Sequence, residues 1–340
     1  MVNMMISKLY EFLKRFIKDN LFFLIGISIL LIINFVKVPY EVMMPGGTID
    51  LNDRVIIDGE APSLKGSFNM AYVTVVQGNI PYVLVGAVLP DWDVIKMDNE
   101  YNKENVEAEN LSNRLQLLNS KNAAKMAAYE AADVDYVLGT QYNYVTFVGP
   151  QANTTLKVGD DIRKVDGKEI KDIDELLDII ASKKVGDKLT LEVLRNGNKK
   201  ETTATLYDEK GKTKLGISVL TTSDIESDLK VEINSEESES GPSGGMMMAL
   251  MIYNAITEQD LTHGKKIVGT GTIDKDGNVG VIGGIKYKVM GAEKNDADIF
   301  LVPEENYKEA IEVKKEKGYD IEIISVKTLN DAIDYLEGLK

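Results

Sequence analysis

Ser243 stands between glycines, directly before an apolar run, and this position suits a nucleophile. Residues 241–245 read GPSGG, and the following run, MMMALMIYNAI, is apolar enough for a buried helix. Glycines let the main chain turn sharply, and a helix N-terminus offers free N–H groups and positive potential where an oxyanion would form. A serine here is also an ordinary N-cap residue, so catalysis requires a suitable partner.

The choice of a catalytic base is narrow because the chain has no cysteine and a single histidine, His263. Thiol nucleophiles and thiolate or histidine-rich metal sites are excluded, and no His-Glu-x-x-His motif is present. His263 lies in a polar loop, which favours a solvated surface role. A lysine whose pKa is lowered by burial is the remaining base. Lys286 follows the apolar stretch VGVIGGI and is therefore the predicted base, with a lysine that snorkels to the surface as the alternative.

Ser243 and Lys286 belong to a longer series of motifs. In chain order these are GPSGG (241–245), TGTI (270–273), DGNV (276–279), IGGIKYK (282–288) and ADIFLVPEEN (297–306). Their order and spacing resemble the proteolytic domain of Lon proteases. The resemblance predicts a Lon-type proteolytic domain over 209–340.

The resemblance also implies roles for individual residues. Ser243 is the nucleophile and Lys286 the general base of a Ser-Lys dyad, and Thr270 hydrogen-bonds the lysine and orients it. Main-chain N–H groups around Gly241, Pro242 and Ser243 form the oxyanion hole. The sequence departs from the family pattern at three positions that tune the dyad: Ser240, Gly244 and Thr272.

We recognise no ATPase module in the sequence. Gly211-Lys212-Thr213 resembles the end of a phosphate loop, but Leu206 occupies the place of the required first glycine. We therefore expect hydrolysis without ATP, cofactor or metal ion, acting on peptides or accessible unfolded segments. The resemblance implies small secreted peptides or small membrane-anchored proteins as substrates, and both remain open.

Residues 133–208 resemble a PDZ domain of the bacterial protease type. The resemblance rests on Gly159-Asp160, followed by the run Val165-Asp166-Gly167-Lys168, and Asn196-Gly197 is a strong hairpin turn. PDZ domains bind an extended peptide as an added strand, which predicts that the module assists substrate binding. No carboxylate-binding loop is recognisable before Tyr144, and a structural spacer is the alternative.

The N-terminal region predicts a membrane anchor. Leu21 to Val36 read LFFLIGISILLIINFV, which contains no charged residue. No small-x-small cleavage site follows, so we expect an uncleaved transmembrane helix over 21–38 rather than a cleaved signal peptide. Basic residues outnumber acidic ones in 1–20. The positive-inside rule then predicts a single-pass cell-membrane protein with a cytoplasmic N-terminus and an extracellular catalytic domain.

The charge of the chain limits its partners. A net charge of −15 without a cluster of Lys and Arg argues against binding to nucleic acid. Acidic residues are concentrated over 223–239, just before Ser243. This stretch either attracts basic peptides or forms a solvated loop.

The predicted fold class is α+β, with a Lon-type proteolytic domain into which a PDZ domain is inserted. The predicted parts are a cytoplasmic N-terminus (1–20), a transmembrane anchor (21–38), the N-terminal part of the protease region (45–132), the PDZ domain (133–208) and the Lon-type domain (209–340). The predicted function is that of an ATP-independent, membrane-anchored serine endopeptidase. The alternative is a non-catalytic PDZ scaffold with an inactive Lon-like domain. An oligomer is compatible with the sequence.

Overall fold

Helices and strands are mixed along the described chain, residues 2–97 and 103–339, so the predicted α+β class is confirmed in this computed structural model. The helices are α1 (Val2–Asp19), α2 (Leu21–Phe35), α3 (Ile80–Gly86), α4 (Lys103–Ala131), α5 (Ile173–Ala181), α6 (Gly245–Ile256), α7 (Ile285–Lys294), α8 (Glu304–Lys317) and α9 (Leu329–Glu337). The strands of the first half are β1 (Lys37–Asp50), β2 (Val55–Ile57), β3 (Ser67–Asn79), β4 (Asp93–Lys96), β5 (Val137–Val148), β6 (Asn153–Thr154), β7 (Asp161–Val165) and β8 (Lys168–Glu169). Those of the second half are β9 (Lys188–Arg195), β10 (Asn198–Thr205), β11 (Tyr207–Glu209), β12 (Lys212–Lys214), β13 (Ile217–Glu226), β14 (Val231–Ile233), β15 (Lys266–Gly269), β16 (Thr272–Ile273), β17 (Val279–Gly280), β18 (Ile299–Pro303) and β19 (Glu322–Val326).

The contacts within the chain define two units. The smaller unit is Met1–Met44 with Thr74–Tyr101, and the larger is Pro45–Val73 with Asn102–Lys340.

The larger unit contains a sheet in the order β19-β18-β15-β3-β1. Strand β15 pairs in parallel with β3, through Lys266–Gly269 and Ser67–Met70, and in parallel with β18 on its other side. Strand β3 precedes the PDZ-like region in the chain and β15 follows it. Chain segments on both sides of that region therefore share one sheet.

Helices cover both faces of this sheet. Side chains of neighbouring strand residues alternate between the faces, so Ile267 and Leu301 join a core with α4, α6 and α9. Val268 and Phe300 join a second core with α7 and α8. Parallel strands buried on both faces are expected to be continuous apolar runs, and the residues of β18, IFLVP, are all buried.

Helix α4 packs against α6 through small side chains. Ala123, Ala124, Ala127 and Ala128 are buried in the same core as the methionines of α6. Small residues at a helix contact let the two helices approach closely. The contact places α4, which precedes the PDZ-like region, beside the segment that carries Ser243.

The PDZ-like region has a sheet in the order β13-β5-β7-β9-β10-β6 and a separate hydrophobic core. The hairpin predicted at Asn196-Gly197 is confirmed, because β9 and β10 pair across it and both residues have positive φ, 51° and 74°. Strand β13 pairs with β5, so the sheet includes residues beyond the predicted end of the module at Asp208.

The smaller unit contains α1, α2, α3 and β4, and β4 pairs with β1 at Tyr40–Met43. Helix α2 ends at Phe35, before the predicted end of the anchor at Val38, and β1 begins at Lys37. Among the described residues, no single helix is long and apolar enough to span a bilayer. Taken together, Met5–Asp19 and Leu21–Phe35 meet the length and composition of a span, but they are bent by 79°.

Candidate active site

Ser243 lies in a tight turn that ends where α6 begins, at Gly245. Helix α4 holds this turn from the side: the N–H of Gly241 donates to the carbonyl oxygen of Asn113 at 2.9 Å, and Ser120 Oγ donates to the carbonyl oxygen of Pro242 at 2.9 Å. Gly241 has φ of +85°, a conformation that favours glycine. The glycine-rich motif is therefore a turn fixed to a neighbouring helix.

Thr270 fixes the same turn from the sheet. It follows β15 and is fully buried, and its Oγ1 donates to the main-chain oxygen of Ser243 at 3.1 Å. The next residue, Gly271, donates its N–H to that oxygen at 2.8 Å and accepts from the N–H of Met246 at 3.1 Å. Three hydrogen bonds thus join the turn and the start of α6 to the segment after β15.

Lys288 is the lysine that the structure brings to this turn. Its Nζ donates to Thr270 Oγ1 at 3.0 Å, so Thr270 accepts from the lysine and donates to the main-chain oxygen of Ser243. The residue is only 3% exposed. Burial lowers the pKa of Lys288 to about 8, because an ammonium group loses its hydration there. About a tenth of this lysine is then neutral at pH 7.

The structure gives the hydrogen bond to Thr270, which was predicted for Lys286, to Lys288 instead. Lys286 is only half-buried, and its Nζ lies 5.3 Å from the ring centroid of Tyr287. The apolar stretch before it is not one continuous strand: a short strand ends at Gly280 and a helix begins at Ile285. Successive residues of an α-helix are about 100° apart, so residues 286 and 288 lie about 200° apart around the axis. Burial on one side therefore selects Lys288 and leaves Lys286 near the surface.

The predicted oxyanion donors also change. The N–H of Gly241 is already bonded to Asn113, and Pro242 has no N–H to donate. Gly245 donates its N–H to the carbonyl oxygen of Pro242 at 3.2 Å. The remaining main-chain donors of the turn are those of Ser243 and Gly244.

Ser120 and Asn113 are contacts of the nucleophile turn that the sequence analysis missed. Both lie on α4, more than a hundred positions before the turn, and no local motif marks them. Ser120 is 2% exposed. A Cβ atom at Gly245 would lie 2.6 Å from Ser120 Oγ, so the contact also requires a glycine at 245. The one signal in the sequence is that Ser120 comes just before the alanine-rich part of α4, where small side chains indicate a buried helix contact.

The acidic stretch 223–239 is partly neutralised. Arg54 pairs with Glu236 at 2.9 Å and with Glu239 at 3.0 Å. Lys121 Nζ donates to the carbonyl oxygen of Ile233 and to Ser235 Oγ. These contacts attach the stretch to Arg54, just before β2, and to α4, and together with α4 the stretch lines an open cavity of about 260 Å³. The stretch is therefore attached to the fold, while residues 234–238 are exposed to solvent.

His263 is exposed, in agreement with its predicted surface role. Its Nε2 lies 3.1 Å from the carbonyl oxygen of Leu336, far along the chain from the nucleophile turn. Among the described residues, no group of His, Asp or Glu side chains is arranged to hold a metal ion.

The PDZ-like region presents a second candidate surface. Strand β13 is the terminal strand of its sheet within the described residues, and the N–H of Ile173, at the start of α5, donates to Thr221 Oγ1 on β13 at 3.2 Å. The residues before β13 read Lys214-Leu215-Gly216, and Gly216 has φ of +81°. Strand β5 is paired on both sides, by β13 and β7. The loop before Tyr144 therefore leads into a strand that already has a partner on each side.

Comparison with known proteins defines the class. Residues 213–337 match the Lon protease (S16) C-terminal proteolytic domain, and residues 127–206 match the PDZ domain family. The chain therefore contains a Lon-type proteolytic domain, which supports a serine-type peptidase, together with a PDZ domain.

Individual proteins are similar to parts of this chain. The chain is 35% identical to the Lon protease of Mesomycoplasma hyopneumoniae over 96 residues, which is 28% of this chain and 11% of that protein. It is 35% identical to the Lon protease of Campylobacter concisus over 94 residues, 27% of this chain and 11% of that protein. The chain thus spans about a tenth of the length of these relatives. A solved PDZ domain of an SdrC-like protein from Listeria monocytogenes is 30% identical, over 23% of this chain and 86% of that one, with a TM-score of 0.22.

Proposed function

We propose that the protein is an ATP-independent serine endopeptidase in which Ser243 is the nucleophile and Lys288 the general base. The observation that carries this proposal is the hydrogen-bonded link from Lys288 Nζ through Thr270 Oγ1 to the main chain of Ser243. The lowered pKa of Lys288 supports it, because a base that is partly neutral near pH 7 can accept a proton from serine.

The reaction needs one proton acceptor and one anion site. Neutral Lys288 Nζ accepts the proton of Ser243 Oγ while that oxygen attacks the peptide carbonyl carbon. The resulting oxyanion is stabilised by main-chain N–H groups of Ser243 and Gly244 and by the N-terminus of α6. The C–N bond then breaks, and Lys288 gives its proton to the leaving amine. A water molecule repeats these steps on the acyl-enzyme with the same base.

Thr270 acts as a positioning residue in this scheme. Because its hydroxyl donates to the main-chain oxygen of Ser243, its oxygen lone pairs face the lysine. The lysine then approaches the serine from one direction only. Preorganised geometry of this kind reduces the reorganisation that the reaction requires.

We further propose that the substrates are peptides or unfolded segments, which the PDZ domain helps to bind along β13. An added strand would pair with the outer edge of β13 and lie beside α5. Gly216 before β13 gives the turn in which a peptide end could be held. Small secreted peptides and small membrane proteins can both provide such peptides or unfolded segments.

Helix α2 supports the proposed anchoring in the cell membrane. None of its residues is buried, and its sequence is apolar on every side. An uncharged helix exposed in this way is suited to lipid rather than water. The basic residues of α1 favour a cytoplasmic N-terminus, and we propose that the Ser243 site then lies outside the cell.

The test is hydrolysis of an unstructured reporter peptide by the full chain in detergent, without ATP and in the presence of a chelator. Ser243→Ala and Lys288→Ala should each reduce kcat/KM by at least about a thousandfold. Lys286→Ala and His263→Ala are matched controls and should keep activity near that of the parent. Unchanged hydrolysis in Lys288→Ala would contradict the proposal, and binding of peptide without any hydrolysis would favour the scaffold function.

A further inference from the structure

An apolar surface lies in the smaller unit, on α3 and the turn that follows it. Val88 is 81% exposed and Leu84 is 63% exposed. We call this the α3 surface; its residues are Ile80, Tyr82, Leu84, Val85, Val88 and Leu89. No Asp, Glu, Lys or Arg occurs between residues 80 and 90. Soluble proteins rarely leave so many adjacent large apolar side chains in water, so this surface requires a partner.

The α3 surface is attached to the C-terminal end of α2. Asn79 is the N-cap of α3, and its Oδ1 accepts from the N–H of Tyr82 at 2.9 Å. The other end of the same amide, Nδ2, donates to the carbonyl oxygen of Asn34 at 2.9 Å and to its Oδ1 at 3.1 Å. Asn79 is 5% exposed. One buried amide thus joins the first turn of α3 to the last turn of α2.

The opposite side of α3 is packed, which fixes the direction of the exposed side. A Cβ atom at Gly86 would lie 2.6 Å from Val94 of β4 and 3.5 Å from Val42 of β1. At the edge of the α3 surface, the partly exposed ring of Tyr82 stacks on that of Trp92, with the centroids 6.1 Å apart. The α3 surface is therefore held against the β1–β4 pair with its apolar side chains outward.

The length of α2 requires apolar surroundings at its ends. Its 15 residues extend about 22 Å at 1.5 Å per residue, whereas the apolar layer of a bilayer is about 30 Å thick. Groups beside an end of α2 are then close to, or within, the boundary of that layer. Tyr and Trp side chains concentrate at this boundary, and both occur here as the Tyr82–Trp92 pair.

We propose that the α3 surface inserts into the outer boundary of the bilayer in which α2 is anchored, forming a second membrane contact. The inference rests on the proposed anchoring of α2 and adds a lipid-binding surface to it. The contact would fix the smaller unit against the membrane instead of leaving it on a flexible stalk. Apolar area buried shallowly in this way is the usual basis of interfacial lipid binding.

Trp92 makes the proposal testable because it is the only tryptophan in the chain. The full chain is placed in phosphatidylcholine liposomes whose acyl chains carry bromine at a shallow or a deep position. We expect shallow bromine to quench Trp92 emission at least twice as strongly as deep bromine. Quenching by aqueous acrylamide should be at least threefold weaker than for free tryptophan.

A paired substitution tests the surface itself. Leu84→Asp with Val88→Asp should reduce quenching by shallow bromine at least twofold, while Val185→Asp, a 52% exposed valine of the PDZ region, should leave it unchanged. If the double variant does not fold, the depth dependence in the parent chain still decides the question.

Flotation of the same liposomes tests the anchoring of α2 separately from the membrane contact of the α3 surface. Chain that floats with liposomes but shows no quenching by bromine at either depth retains the anchor and contradicts the α3 contact. Protein that does not float with the liposomes contradicts both the anchoring of α2 and the membrane contact of the α3 surface. A blue shift of Trp92 emission that appears only as the protein-to-lipid ratio rises would assign the surface to a second copy of the chain and overturn the proposal.

Discussion

The PDZ region is built from one continuous segment of the chain, whereas the proteolytic region is built from two separate segments. The strands of the PDZ sheet lie within 137–226, and so do all the described residues of its core. The proteolytic sheet joins β1 and β3, which precede the PDZ region, to β15, β18 and β19, which follow it. The comparison indicates that the PDZ region can fold alone, whereas the proteolytic region needs both of its segments.

The largest expected loss of stability and activity comes from removing the first of those two segments. A truncated chain beginning at Asp133 lacks β1, β3 and the alanine face of α4. Strand β15 then loses its partner β3, and the core around α6 loses the packing of α4. We expect no cooperative unfolding transition for the proteolytic region and no hydrolysis, measured by calorimetry and a peptide assay. A separate piece, 133–226, should unfold cooperatively. A folded and active chain beginning at Asp133 would refute the insertion of the PDZ domain.

Within the proteolytic region, the buried Lys288 should lower stability. Its folded pKa, about 8, lies below the ordinary value of 10.5, so the unfolded chain binds more protons and stability rises with pH between these values. At pH 7 the full cost is present. Lys288→Met should raise the free energy of unfolding there by about 3 kcal/mol, and the gain should shrink above pH 8. Chemical denaturation at several pH values measures this.

Lys286→Met is the matched control for that experiment. Because Lys286 is half-buried, its replacement should change stability by less than about 0.5 kcal/mol. A larger gain in Lys286→Met than in Lys288→Met would reverse the assignment of the buried lysine.

In the PDZ region, replacement of the buried Asp160 should lower stability more than replacement of any other charged residue. Arg195 binds both of its carboxylate oxygens at 2.6 Å, and the N–H of Lys157 donates to it at 2.8 Å. Asp160→Ala would leave Arg195 without this partner, so we expect about 3 kcal/mol lower stability of the PDZ region. Hydrolysis of a short peptide should change less than about twofold. Lys199→Ala, which removes an exposed ion pair with Glu192, is the control.

The smallest expected effect is at Ser120, which connects α4 to the nucleophile turn. Ser120→Ala removes the donor to Pro242, and we expect kcat to fall about tenfold with KM unchanged, since about 1.4 kcal/mol of positioning would be lost. Ser120→Thr should restore part of the rate. Ser112→Ala, on the same helix, is the control, and an equal loss there would indicate a general effect on α4 instead.

The sequence predicted those parts of the molecule that depend on local pattern. Glycine-rich turns such as Asn196-Gly197 need positive φ, and the apolar run after Ser243 can only be a buried helix. The sequence did not distinguish Lys286 from Lys288, because which of the two is buried depends on whether the chain there is a strand or a helix. Ser120 could not be predicted, since its partner at Pro242 is brought to it only by the fold.

The pairing of β13 with the PDZ sheet, beyond the predicted end of the region at residue 208, could not be predicted for a related reason. Strand β13 comes after the hairpin β11–β12 and pairs with β5, the first strand of the region, about seventy positions earlier. Pairing between such distant segments leaves no periodic signal in either one. The fold alone shows that β13, and not β5, is the terminal strand of that sheet.

The central claim is that Lys288, through its lowered pKa, activates Ser243. The most direct test is the pH dependence of kcat/KM for peptide hydrolysis by the parent chain and by Lys286→Ala. Both should rise about tenfold per pH unit below pH 8 and level off above it, because neutral lysine is the active form. A rate that is independent of pH from 6 to 10, or a midpoint that moves in Lys286→Ala, would contradict the account.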